Sequence, residues 1–322
     1  MATRHSDQAL VRALAATYPD RVTPCFGYHP WFAHWIALRP PASKEAHYRA
    51  LLLDSAKAQQ HEAAFQRLLA YLPEPTALSD VLADLRENLT ACPGAMLGEV
   101  GLDRACRIPF APPASPPYAE ATGARELSPF TTPIEHQVAI LEAQLNLAVE
   151  LRRNVSLHSV KGQQATIELL QRMKTRHGEG WLQISVDMHS CGVSAQSWAD
   201  IEKQHSNVFL SLSTAINARS PAHKSLIAAC SPNRILVESD FHDIRLSAPY
   251  TWDMLLTVAE VKGWRVEEAW DEEAAADDPE KWGAVRRLEE NWKQFVAGHH
   301  KPIKQKRDRR RLVLDASESD ED

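Results

Sequence analysis

The 322-residue chain predicts an α/β fold, and within that class a TIM-type (β/α) barrel, on three observations. Six short apolar runs rich in β-branched residues alternate with stretches whose apolar residues recur at helical spacing, the pattern of parallel βα units. Several of the runs are apolar almost throughout, so both of their faces are buried, as in a parallel sheet covered by helices. Polar residues then fall at or near the C-terminal ends of different runs: His29, Glu99, Asp103, His158, His189 and Asp240. A barrel gathers such ends at one mouth, whereas an open doubly wound sheet strings them along an edge.

The elements follow in order. MATRHSDQALVRALAATYPD opens the chain as an ordinary helix, because Asp7 and the lack of an apolar core do not suit a signal or transit peptide. The predicted strands are VTPCFGYH (22–29), AMLGEVGLD (95–103), VSLHSV (155–160), LQISVDMH (182–189), VFLSLST (208–214) and RILVESD (234–240). Helices are expected over 134–151, 163–177 and 221–231. Three segments interrupt the alternation. Residues 104–133, rich in proline and small side chains, read as a long loop above the mouth. Residues 266–282 form an acidic insertion. The barrel domain is expected to span 1–298, with 299–322 as a charged, disordered tail whose functional readings are a nuclear import signal or a phosphate-contacting arm.

Composition narrows the function classes. The net charge is 36 − 42 = −6, so no global basic field attracts nucleic acid, and polyanion binding requires a local patch or a bound metal. Five widely spread cysteines without a CxxC pair suit a reducing compartment, not a zinc knuckle or disulfide framework. No run of 18 apolar residues is present, so no membrane span is expected and the cytoplasm or nucleus is the expected setting.

Glu99 carries the chemical signal. A carboxylate inside LGEVGL, on a strand buried on both faces, needs a cation or donors to offset its desolvation. With His158, His189 and Asp240 it offers two carboxylates and two imidazoles from four strands, a donor mix suited to Zn, Mn or Mg. A metal so held activates water and clamps a phosphoryl oxygen, and the expected reaction class is metal-assisted hydrolysis.

The phrases CFGYHPWF, LGEVGLD, VSLHS, DMHSCG, FLSLS, RILVESD and ENWKQF stand in the order of the signature blocks of TatD-type metal-dependent hydrolases, and the chain resembles that family, its fungal branch in particular, over about residues 1–298. The resemblance implies a two-metal centre and deoxyribonuclease activity, with DNA as the substrate. It implies that Glu99 bridges the metals, that His158 and His189 hold the second and that Asp240 binds the first and activates water. His29 would contact the scissile phosphate, with Asp103 beside it on the substrate side.

Two departures accompany the resemblance. The family opens with a strand carrying an HxH pair of metal ligands, and no HxH lies near the start here; six strands are counted where a closed barrel has eight. The first two strands are thus expected to be missing from this chain, the strand near 22–29 to show an open edge, and the divalent ions to number as few as one. His5 is the one nearby substitute, with nothing to place it on a strand. DMHSCG lacks the aromatic residue usual after the histidine, which would alter the pocket wall. Two other functions share these residues: a different hydrolase, such as an esterase or an aminoacyl-tRNA deacylase, and a catalytically impaired protein that acts through a protein partner.

Overall fold

The computed structural model describes residues 1–53, 58–116, 125–269 and 279–303. Six parallel strands form one sheet in the order Cys25–Phe26, Met96–Asp103, Val155–Val160, Val186–Met188, Val208–Ser213 and Ile235–Glu238. Each strand pairs with the next in the chain, in register from Cys25 on Met96 to Ile235 on Leu210. The order never reverses, so there is no switch point of the doubly wound kind, and the sheet is a curved wall of a barrel. Among the described residues the first and last strands do not pair with each other. A cavity of 430 Å³ lies there, lined by Cys25, Met96, Asp187, Leu236 and Phe295 among others.

Continuous burial explains the strands. All six residues of Val208–Ser213 are buried, and Met96–Asp103 is buried at every position but Glu99. Helices Ile134–Leu151, Gln163–His177, Ala195–Gln204 and Ile244–Lys262 cover the outside. Local signals bound them: Pro133 precedes the first, Ser194 Oγ accepts from Ser197 N at the start of the third, and Gly178 (φ 53°) ends the second. No helix among the described residues is long and apolar enough to cross a membrane.

Several expectations are corrected. The strand expected over 22–29 is reduced to Cys25–Phe26, because Pro24 has no N–H to donate and Pro30 starts a 3-10 helix, Pro30–Trp35. Its edge is not fully open: Ala2 N donates to Cys25 O (2.8 Å) and His29 N to Thr3 O (2.8 Å). His5 begins the first helix, His5–Thr17, away from any strand. The strand expected over 182–189 starts at Val186, since Gly178–Gln183 forms a 3-10 turn that buries Trp181. Segment 104–133 is not all loop. Arg107–Pro109 and Leu127–Thr131 pair as an antiparallel ribbon, its alternating burial placing Ser128 and Phe130 inward. Of the acidic insertion, 270–278 lie outside the described residues, as do 304–322 of the tail. The tail's first residues are held to the barrel: His300 N donates to Leu182 O (2.7 Å) and its ring meets Ser185 Oγ (2.7 Å).

Two predictions follow from this packing. A Cβ on Gly101 would overlap the His158 carbonyl oxygen, whereas Gly94 has nothing within 4 Å. Gly101→Ala is therefore expected to cost about 1–3 kcal/mol in denaturant unfolding while Gly94→Ala costs almost nothing; equal effects would remove the close approach as the cause. Burial, with Lys174 and Arg234 nearby, pushes the His205 pKa down to about 4, and burial with His136 and His47 pushes that of His34 down to about 3. Both rings stay neutral in the fold where the unfolded chain already takes up protons. Stability is then full above about pH 6.5 and falls as the pH drops toward the folded values, by on the order of 3 kcal/mol for His205. Urea midpoints measured across that window should decline with acid, and His205→Gln should flatten the decline.

Candidate metal centre

The mouth of the wall is organised around Glu99. Its Oε1 is hydrogen-bonded to His158 Nδ1 at 2.7 Å and lies 3.4 Å from His29 Nε2 and 3.6 Å from His189 Nε2. Asp240 joins through His189, whose Nε2 is 3.3 Å from Asp240 Oδ1. The Glu99 side chain is 14% exposed and that of Asp240 30%, so Glu99 forms the floor and Asp240 the solvent-facing rim. The six residues singled out in the sequence thus converge, from the ends of four strands and the turn at His29.

Local sequence explains the approach. Gly98 and Gly101 flank Glu99 and let its strand lie against Val155–Val160, where side chains at either glycine would meet Ser156 or His158. Two buried glutamines seven apart on Ile134–Leu151, hence on one helical face, clamp the neighbouring loops. Gln144 accepts from Tyr28 N (3.0 Å) and donates to Tyr28 O (3.2 Å), fixing the backbone beside His29. Gln137 accepts from Asp103 N (2.7 Å) and donates to Asp103 O (2.9 Å). His29 Nδ1 accepts from Trp31 N (3.1 Å), which leaves Nε2 to face Glu99.

Asp103 is placed differently from a free substrate contact. Its Oδ1 accepts from Ala105 N (2.7 Å) and Cys106 N (3.0 Å), and its Oδ2 accepts from Trp31 Nε1 (2.7 Å) and lies 3.5 Å from His158 Nε2. It orients Trp31 and His158. Residues the sequence reading passed over stand behind His189: Glu238 Oε2 is 2.5 Å from His189 Nδ1, and Glu238 Oε1 accepts from Ser190 N (2.7 Å). Asp187 lies below, hydrogen-bonded to Ser156 Oγ (3.2 Å) with its other oxygen unpartnered. The available signal was the two-residue strand period, which puts Glu238 with Asp240, and Asp187 with His189, on one face. Ser190 (φ 42°) and Asp240 (φ 50°) both adopt left-handed backbone, a strain that the packing around the mouth sustains.

The electrostatics follow from crowding. Burial alone would raise the Glu99 pKa, but hydrogen bonds from His158 and His29 and the charge of His189 outweigh it and hold the carboxyl well below the usual range. Burial opposes protonation of His158 and His189; their carboxylate neighbours overcome it and raise both. For His29 burial wins and the pKa falls. Burial, then Glu238, pushes Asp187 upward.

A divalent ion fits this donor set. Two ligands at about 2.1 Å from one ion, at tetrahedral angles, stand roughly 3.4 Å apart. The separations Glu99 to His189 (3.6 Å) and His189 to Asp240 (3.3 Å) match that spacing, as does Glu99 to His29 (3.4 Å), whereas His158 Nδ1 stands at hydrogen-bond distance from Glu99 Oε1 (2.7 Å). Two triads place ligand atoms within 4.8 Å of one another, His29–Glu99–His158 and Asp187–His189–Glu238.

Known proteins resemble the chain as a whole. The family model described as TatD related DNase matches residues 1–275. The Cut9-interacting protein scn1 of Schizosaccharomyces pombe is 28% identical over 301 residues, covering 83% of this chain and 86% of that protein. In fold, the crystal structure of YJJV, a TATD homolog from Escherichia coli, is similar with a TM-score of 0.53 at 15% identity, over 93% of this chain and 85% of that one. A hydrolase TatD family protein from Entamoeba histolytica gives a TM-score of 0.54 at 11% identity, over 91% and 82%. Because the family model spans residues 1–275, most of the sequence, the chain belongs to the TatD related DNase family.

Proposed function

We propose that this protein is a metal-dependent hydrolase that cleaves phosphodiester bonds of DNA with activated water. The observation that carries the reading is Glu99, a buried carboxylate with three imidazole nitrogens within 3.6 Å of one oxygen. Such a cluster is an expensive structural ornament, because each polar group loses water on burial, and a cation site offsets the cost. Glu99, His158, His189 and Asp240 are the proposed ligands, for one or two ions of Mg, Mn or Zn. When bound, such an ion lowers the pKa of water and neutralises phosphoryl charge.

The chain's own groups do the rest. Asp240, on the rim, takes a proton from the attacking water as its oxygen bonds to phosphorus; the P–O bond to the leaving nucleoside breaks, and the leaving oxygen regains a proton from solvent. His29 Nε2 sits beside Glu99, placed to donate to a non-bridging phosphate oxygen. Glu238 orients His189 through Nδ1, as outer-shell carboxylates commonly do for metal-binding imidazoles. A nuclear or cytoplasmic setting is part of this reading.

The expected result is divalent-metal-dependent release of nucleotides from DNA by the purified chain. Asp240→Asn should lower the rate by about 10²–10⁴-fold with the metal content retained in part, as for loss of a proton acceptor. Glu238→Gln should weaken metal affinity by about 10–100-fold. A folded, metal-loaded protein inert on phosphodiesters but active on esters or aminoacyl-tRNA would overturn the substrate assignment and keep the hydrolase.

A second reading, binding of a protein partner, is favoured by one observation: the relative from S. pombe is named for its interaction with Cut9. It expects less than one ion per folded chain by elemental analysis; stoichiometric metal with turnover would set it aside.

A further inference from the structure

The sheet is open on one side among the described residues: the last strand, Ile235–Glu238, is paired only with Val208–Ser213, and no strand bridges it to Cys25–Phe26. The floor of this seam is the cavity of 430 Å³, where Cys25, Met96, Leu236 and Phe295 meet. Its rims are apolar and exposed. On helix His5–Thr17, Arg12 reaches Glu87 of the neighbouring helix Leu78–Ala91. Leu10 and Leu14 stand on either side of Arg12 in sequence, which at about 100° per residue puts both on the opposite flank of the helix, toward the unpaired edge, and both are exposed. On the far rim Trp292 of helix Ala284–Ala297 lines the cavity and is exposed as well. An unpaired strand edge beside exposed apolar side chains makes a surface that calls for a cover.

The charge in the seam has one sign. Its lining holds Asp187, Glu238 and Glu289 and, among the described residues, no Lys or Arg. Glu238 is engaged by His189, and Glu289 lies 3.2 Å from Lys293 Nζ. Asp187 is different: it is 8% exposed, and its Oδ1 has no hydrogen-bond partner. A buried carboxylate oxygen without a donor is costly, and a cation brought into the seam removes that cost.

We propose that the chain's own C-terminal segment occupies this seam, with Leu312, Val313 and Leu314 laid as an added edge strand along Ile235–Glu238 and the cationic run before them facing Asp187 and Glu289. The path leads there. The His300 ring stands 5.6 Å from the Phe209 ring, and Phe209 packs at 5.5 Å on Phe295, a residue of the cavity itself. From Ile303 to Leu312 an extended chain reaches about 30 Å, at roughly 3.3 Å per residue, so the apolar run has the length to lie in the seam. Because His300 is held at Leu182 and Ser185, just before the strand Val186–Met188, the segment enters at the strands' N-terminal ends and would run parallel to the whole sheet. The chemistry is complementary. Lys304, Lys306, Arg307, Arg309, Arg310 and Arg311 stand against the single Asp308 and meet a lining of carboxylates, and three aliphatic residues follow for the apolar floor. Tethering favours this occupant over a separate chain, since a short linker holds it at an effective concentration of about 1 mM.

Hydrogen–deuterium exchange of the full chain in EDTA, read by mass spectrometry, tests the docking. Amides of 312–314 should exchange at least about tenfold more slowly than in an unstructured peptide, while those of 318–321 exchange freely. Arg309→Glu combined with Arg310→Glu and Arg311→Glu, or Leu312→Asp combined with Leu314→Asp, should remove that protection and speed exchange at 235–238 by about threefold or more. Unchanged exchange over the rest of the barrel shows that these variants are folded. Trp292→Ala, at the exposed rim, should loosen the segment by about fivefold, as for loss of a partly buried ring. Free exchange of 312–314 in the parent overturns the proposal. So does protection that leaves 235–238 unaltered in the variants, which puts the segment elsewhere on the barrel. Protection that grows with protein concentration across a roughly fiftyfold range overturns it in favour of a second copy of the chain, and protection that appears only when Mg replaces EDTA overturns it in favour of a cation at Asp187.

Discussion

Everything at the mouth depends on keeping one carboxylate, Glu99, ionised in a place that disfavours charge. The protein does this by surrounding Oε1 with imidazole nitrogens from His158, His29 and His189, each on a different element. Since no two of these elements are adjacent in sequence, the cluster exists only when the sheet has formed. Folding and site assembly are therefore one event, and the glycines at 98 and 101 are part of it, because they set how closely the Glu99 strand approaches its neighbour.

Around that centre the supporting groups act mostly through the backbone. Gln137 and Gln144 extend from one helix face to hold the peptides at Asp103 and Tyr28, and Asp103 in turn holds Trp31. Glu238 does for His189 what these do for the loops. Such second contacts convert loop positions, which tolerate movement, into fixed ones, and fixed ligands are what a metal centre requires.

The distribution of charge separates the working end from the remainder of the surface. Ion pairs such as Arg86–Glu150 and Arg49–Glu62 lie on the exposed flanks, where they contribute little. At the mouth, carboxylates sit on the floor and rim among imidazoles, where burial makes each contact count for more.

Much of this was legible without coordinates. The βα alternation, the helices over 134–151 and 163–177, and the candidate ligands all came from patterns of period two or 3.6 and from a carboxylate set in an apolar run, because burial and periodicity are local properties of the chain. The TatD phrases carried the family for the same reason: they are contiguous. What escaped were features set by through-space partners. Prolines and backbone bonds to Ala2 and Thr3 decided how short the 25–26 strand is. The ribbon inside 104–133 forms because Arg107 and Phe130 find partners in its own second strand and in the helix Ala58–Leu69. By itself, then, the sequence determined the fold class and the residues that are candidates for ligands; only the tertiary structure decided that Glu238 backs His189 and that Asp103 orients Trp31, since each of these is a distance between residues tens of positions apart.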